Sequence, residues 1–121
     1  MTAEEFVRAL HVVVREDDVI RTLEKPPGRR PARALVARSE WYRSLTESDR
    51  ARVADVAAEA TRAALFHVLA IIDGVSAIEN TAEKGELVLS FRKDGTEVRL
   101  NPPEGEMLHD IFQSLSQPVE D

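Results

Sequence analysis

A continuous helical pattern running from Thr46 to Gly74 constrains this chain more than any other feature. Leu45-Thr46-Glu47-Ser48-Asp49 sets an N-cap threonine ahead of acidic residues, which suit the positive end of a helix. Asp73-Gly74 supplies the stop at the other end. At 1.5 Å per residue the helix between them is about 39 Å long, the full width of a domain of this size. Val53, Val56, Ala57, Ala60, Ala63 and Ala64 form a stripe of small residues that permits close approach of another helix. From Leu65 through Phe66, Val68, Leu69, Ala70, Ile71 and Ile72 the segment is apolar on nearly every side. A helix of that kind is expected to be buried and central.

The remaining elements must pack around it. Thr2 followed by Glu5 is a capping-box pattern, so a first helix should start at about Ala3. Phe6, Leu10, Val13 or Val14, Asp17 and Ile20 step at three-to-four spacing along one face. Glu16-Asp17-Asp18 breaks that stripe, which leaves the last turn as a separate piece, and Lys25-Pro26-Pro27-Gly28 ends whatever helix remains. Residues 86–92 and 96–100 flank Asp94-Gly95, a strong short hairpin signal. A two-residue turn sets Phe91 opposite Val98, Leu89 opposite Leu100 and Arg92 opposite Glu97. The apolar pairs then share one face and the ion pair takes the other. Asn101-Pro102-Pro103 breaks the second strand. Met107, Leu108, Ile111, Phe112 and Leu115 mark an amphipathic helix over 104–115, and 117–121 reads as a frayed tail.

Residues 25–43 differ from the rest. Lys25, Arg29, Arg30, Arg33, Arg38 and Arg43 face one acidic residue, Glu40, in a chain whose formal net charge is −6. Three prolines and a glycine fall in the same stretch, which reads as an irregular connection with room for one turn of helix at 32–37. A solvated loop lying against acidic helix faces is the simpler account, and a specific anion or partner site is the alternative. The expected architecture is therefore α+β in a single domain, residues 1–121. It has a long buried central helix, an N-terminal helix against it, one antiparallel β-hairpin and a C-terminal helix.

Charge and composition bound the function. With 22 acidic and 16 basic residues, the chain lacks the basic surface that general nucleic-acid binding needs, and a basic partner suits it better. There is no cysteine, so disulfides and thiolate metal sites are excluded. The acidic start Met1-Thr2-Ala3-Glu4-Glu5-Phe6 lacks an apolar signal core, and the apolar run 63–72 is far shorter than the roughly 20 residues a membrane crossing takes. A cytoplasmic protein with no membrane association is expected.

No glycine-rich phosphate loop and no paired metal-ligand motif occurs, so neither metal nor cofactor is expected. His67 stands in the most apolar stretch and reads as a neutral, hydrogen-bonded core histidine. Asp73 ends the long helix, where a carboxylate opposes the dipole. Such conflicts with local rules concentrate at functional or strained sites, although a turn residue bonding nearby amides is the plainer account. His109 and Asp110 are adjacent on a helix and point apart, so they cannot pair by themselves. A site drawing on His67, Asp73, His109 and Asp110 would need tertiary structure to assemble it. Trp41-Tyr42 reads as a lid over the edge of the core, and if exposed, as a binding anchor.

The motifs Trp41-Tyr42-Arg43-Ser44-Leu45-Thr46, Ala64-Leu65-Phe66, Asp73-Gly74-Val75 with Ile78-Glu79, Gly85-Glu86-Leu87, Leu100-Asn101 and Leu108-His109-Asp110-Ile111-Phe112 together resemble a set of small bacterial proteins from toxin-linked loci, candidate immunity proteins. The resemblance spans Trp41 to Phe112, with nothing from the first forty residues. It implies a non-enzymatic binding role and carries over no functional residue. The expected function is a protein-binding module for a basic partner, in its narrowest form an immunity protein neutralising a basic toxin domain. Glu79, Glu83, Glu104 and Glu106 are the expected contacts, with Trp41 as an anchor. The alternative is a small enzyme or ligand-binding protein with its site near Asp73 and His109.

Overall fold

Threonines start two helices where the sequence assigns them. In the computed structural model, which describes residues 1–116, the Thr2 Oγ1 accepts the Glu5 N–H at 3.1 Å ahead of α1, Ala3–Val13. Thr46 Oγ1 accepts the Asp49 N–H at 3.1 Å ahead of α4, Glu47–Ile72. Between them lie α2, Asp18–Glu24, and α3, Arg33–Ser44. A hairpin follows, β1 at Ser90–Lys93 and β2 at Thr96–Arg99, and α5 is Leu108–Ser116. The fold is α+β, with helices toward both ends of the described chain, one long helix and one antiparallel hairpin. No helix among the described residues is long and apolar enough to cross a membrane. The tail 117–121 lies outside the described residues.

Where a single domain is expected from the sequence, the contacts group into two compact units, and α4 contributes to both. One comprises Val14–Arg62. Its core is Ile20, Leu23 and Tyr42, flanked by Leu45, Val53, Ala54 and Ala57. The buried Ser39 hydroxyl donates to the Leu23 carbonyl at 2.5 Å, which ties α3 to α2. Arg62 reaches Glu16 at 2.9 Å, and this carboxylate holds the guanidinium's pKa above its ordinary value. At the break between α1 and α2, Arg15 makes a two-bond pair with Asp17, and the hydrogen bonds hold the Asp17 carboxyl below its usual range.

The 25–43 segment corrects the sequence reading. It holds eleven of the twelve residues of α3, where an irregular connection with one turn of helix at 32–37 is expected. The helix breakers Pro26, Pro27, Gly28 and Pro31 all lie ahead of Arg33, and Gly28 takes a left-handed φ of 88°. From Arg33 onward neither glycine nor proline intervenes, and arginine, alanine and leucine are good helix formers. A charge count over the whole window hides that division.

The other unit is Met1–Val13 with the chain from Ala63 onward. Val7 of α1, Leu69 of α4 and Leu108, Ile111 and Phe112 of α5 form its buried core, with Phe6, Leu65, Phe66, Ile72 and Leu89 packed around them. His11 stacks on Phe112 with ring centroids 4.5 Å apart. The burial of α4 is narrower than its composition suggests. Only Leu69 and Ala70 are buried, whereas Val68 is exposed, because the helix packs through the stripe of Leu65, Phe66, Leu69 and Ile72. The helix ends in a Schellman motif. Gly74, at φ 80°, donates to the Ile71 carbonyl, and Val75 donates to that of Ala70.

In the hairpin Phe91 pairs with Val98 and Arg92 with Glu97, the register that the two-residue turn dictates. Asp94 and Gly95 take φ of 52° and 77°, which is a type I′ turn matched to strand twist. The strands are shorter than 86–92 and 96–100, and the pairing continues through one further bond, Leu100 N–H to the Leu89 carbonyl at 2.8 Å. Phe91 is only half-buried and Val98 is exposed, so the apolar face of the hairpin is partly uncovered.

Candidate functional site

Asp73 stands at the C-terminal end of α4, where its charge opposes the helix dipole, and the structure supplies the compensation. One oxygen, Oδ2, accepts the backbone N–H of His109 at 2.8 Å and the ring Nδ1–H of the same residue at 2.7 Å. The carboxylate thus sits at the positive end of α5, capping that helix from a distance in sequence. Its side chain is 2% exposed and that of His109 11%. The imidazole lies edge-to-face on Phe66, with centroids 5.5 Å apart. With Nδ1 against Asp73, Nε2 is left toward Asp110, whose Oδ1 is 3.4 Å away.

The structure therefore gathers Asp73, His109 and Asp110, and it corrects the expectation that the last two point apart, since the Asp110 carboxylate reaches the His109 ring from the adjacent position. His67 is not among them. It is exposed, a correction to its reading as a core histidine, because at 100° per residue it falls opposite the stripe that α4 buries. An Asp–His pair of this form orients an imidazole, as in a general base, and equally locks α4 to α5 as a structural clip. Among the described residues no group of three histidines, aspartates or glutamates is arranged to hold a metal ion.

Beside this clip lies an open hollow of about 500 Å³, formed by the end of α4, the 73–79 and 84–87 segments, and the 99–107 stretch. Its lining includes Val75, Ile78, Leu87 and Met107, which remain exposed by 42% at Met107 to 64% at Ile78. Glu79 and Glu106 line it too, whereas Glu83 and Glu104 are exposed on the neighbouring loops. Residues 104–107 precede α5, which starts at Leu108 and not at Glu104, because Asp73 sets its first turn at that point. Glu79 folds its own loop by accepting the Gly85 N–H at 3.1 Å, and Glu86 pairs with Arg99. The charged lining comprises Asp73, Glu79, Glu86 and Glu106 against Lys84 and Arg99, an acidic balance.

The residue that organises this hollow reads from the sequence only as the first of the strand-breaking Asn101-Pro102-Pro103. Asn101 is buried, and its amide replaces a stretch of ladder. Oδ1 accepts the Leu89 N–H at 2.9 Å, and Nδ2 donates to the carbonyls of Leu87 at 2.8 Å and Ile72 at 3.0 Å. The strands end early because this side chain takes over the backbone groups of 87–89. The only signal was Asn101 itself, an amide directly after Leu100 and before Pro102-Pro103, which reads equally well as a turn residue.

Trp41 belongs to the Val14–Arg62 unit. Tyr42 is the buried member of the aromatic pair, and Trp41 is 52% exposed, no lid over the core. No family model, curated protein or solved structure matches the chain.

Proposed function

We propose that this protein is a cytoplasmic, non-enzymatic protein-binding module whose hollow beside α4 and α5 receives a basic partner segment carrying an apolar side chain. One observation carries the reading. Exposed apolar residues Val75, Ile78, Leu87 and Met107 share a single concavity with the carboxylates of Glu79 and Glu106. Exposed apolar patches with a polar rim mark interaction surfaces, and charge complementarity raises the association rate and suppresses wrong partners. In its narrowest form the module is an immunity protein and the partner a basic toxin domain, as the resemblance over Trp41 to Phe112 implies. The reading calls for no metal or cofactor.

The test is affinity capture from the host, followed by binding kinetics with Glu79, Glu83, Glu104 and Glu106 each reversed to Lys. The Glu79 and Glu106 reversals should slow association most, and added salt should slow it for the parent protein. A partner whose association is indifferent to both sinks the proposal. A small enzyme or ligand-binding protein is the second reading, supported by the 2.7 Å contact of Asp73 with the His109 ring. It requires that His109→Gln abolish a turnover or a ligand-binding signal in a protein that still folds.

A further inference from the structure

The basic segment 25–43 holds six cations and one carboxylate, leaving ten basic residues against twenty-one acidic ones in the rest of the chain. Charge is thus strongly separated along one molecule. Among the described residues, none of Lys25, Arg29, Arg30, Arg33, Arg38 and Arg43 makes a salt bridge, although carboxylates outnumber cations in the chain. On α3, Ala34, Ala37 and Trp41 fall on one exposed face at helical spacing, with Arg33 and Arg38 beside them. Trp41 is 52% exposed, and Ala37 and Arg38 stand one turn before it on the same helix. Trp and Arg are the residues most enriched at binding hot spots.

This face has the chemistry that the hollow calls for: an apolar ring flanked by guanidinium groups, against an apolar concavity with an acidic balance. We infer that a second copy of this chain is an occupant of the hollow, with the α3 face of one molecule inserting Trp41 between Val75, Ile78, Leu87 and Met107 of the next. The inference rests on the reading that the hollow takes a basic, apolar-bearing segment. It adds a regulation to that reading, because self-association competes with the partner for one site. The two surfaces are different patches of the chain, so a variant altered in one patch keeps the other intact.

The experiment is sedimentation velocity on the full chain over a concentration series, at about 20 mM and about 500 mM salt, where screening lengths differ several-fold. The parent protein should grow in mass with concentration at low salt and return to monomer at high salt. Its single tryptophan makes the emission of Trp41 a direct reporter, shifting to the blue as mass grows. Two double variants follow, Arg38→Glu with Trp41→Ala, and Glu79→Gln with Glu106→Lys, all at exposed positions, the glutamine keeping an acceptor for the Gly85 N–H. Each should be monomeric alone, and an equimolar mixture should form a 1:1 dimer that grows no further. A parent protein that stays monomeric at low salt overturns the inference. So does a hollow variant that still self-associates, which would mean α3 meeting α3, or a mixture that fails to pair. A Trp41 emission response to single-stranded oligodeoxythymidine in a protein that stays monomeric assigns the face to nucleic acid instead. If the α3 variant is monomeric yet keeps its captured basic partner through Glu79 and Glu106, the proposed function stands whatever the fate of self-association.

Discussion

Replacing Asn101 with alanine removes four hydrogen bonds at once: to Leu89 N–H, the Leu87 and Ile72 carbonyls, and the Arg99 side chain. The Arg99 contact is long, 3.3 Å, and that guanidinium keeps Glu86, so its loss costs little. The three backbone groups matter more, since each is partly withdrawn from water and has no alternative ladder partner on this side. An unmatched buried backbone group costs about 1–3 kcal/mol, and partial hydration brings these three to a combined loss of about 2–4 kcal/mol. For a chain of this size that lowers the melting temperature by roughly 10–15 °C. Urea titration followed by circular dichroism gives the stability, and amide exchange at Leu89 gives the location, because its protection should collapse while that of Val7 and Leu69 falls only by the global amount. Asn101→Asp sharpens the test. It keeps an acceptor for Leu89 and Arg99 but puts an oxygen where Nδ2 donates to the Leu87 and Ile72 carbonyls, so it should destabilise as well. A loss below about 0.5 kcal/mol for Asn101→Ala, with Leu89 still protected, would show that the amide clamp does not carry the loop.

Two further outcomes are specific to single contacts. Asp73→Ala should cost about 2–4 kcal/mol, because the His109 N–H and ring Nδ1–H both lose their acceptor, while Asp73→Asn retains one acceptor and should cost less; denaturant midpoints for the pair, with equal slopes, check this. Arg15→Gln should raise the Asp17 carboxyl toward its ordinary pKa, observed as a shifted midpoint in a carboxyl-carbon NMR titration, and an unmoved midpoint refutes the pairing as its cause. Because the folded-state value is depressed, what stability Asp17 contributes is present above the carboxylate range and disappears as pH falls through the depressed value.

The elements legible beforehand are those whose cause is local. Thr2 and Thr46 as caps, Asp73-Gly74 as a stop and Asp94-Gly95 as a type I′ turn act within four residues, through backbone geometry that short peptides share. The register Phe91–Val98 follows from the turn alone. The α3 helix was obscured by breakers clustered at one end of its window, and His67 by an apolar neighbourhood that says nothing about which way a helix turns. Composition reports how much of a helix can be buried; only neighbours decide which face is.

Asp73 shows the division most plainly. As a residue at the end of α4 it violated a local rule, and that much the sequence determined. That the compensation is His109, 36 positions away, was decided by the packing of Leu69 against Leu108 and Phe112 in one core. Asn101 is the same case with no warning, since its partners at Ile72, Leu87 and Leu89 become neighbours only when the hairpin meets the end of α4. Trp41 and Tyr42 divide their roles in the same manner, the tyrosine turned into the core and the tryptophan away from it. Local chemistry acts along the chain and is written in it. Which apolar face is covered, and which polar group finds a partner, depends on segments that loop closure brings together, and the chain's order alone does not hold that information.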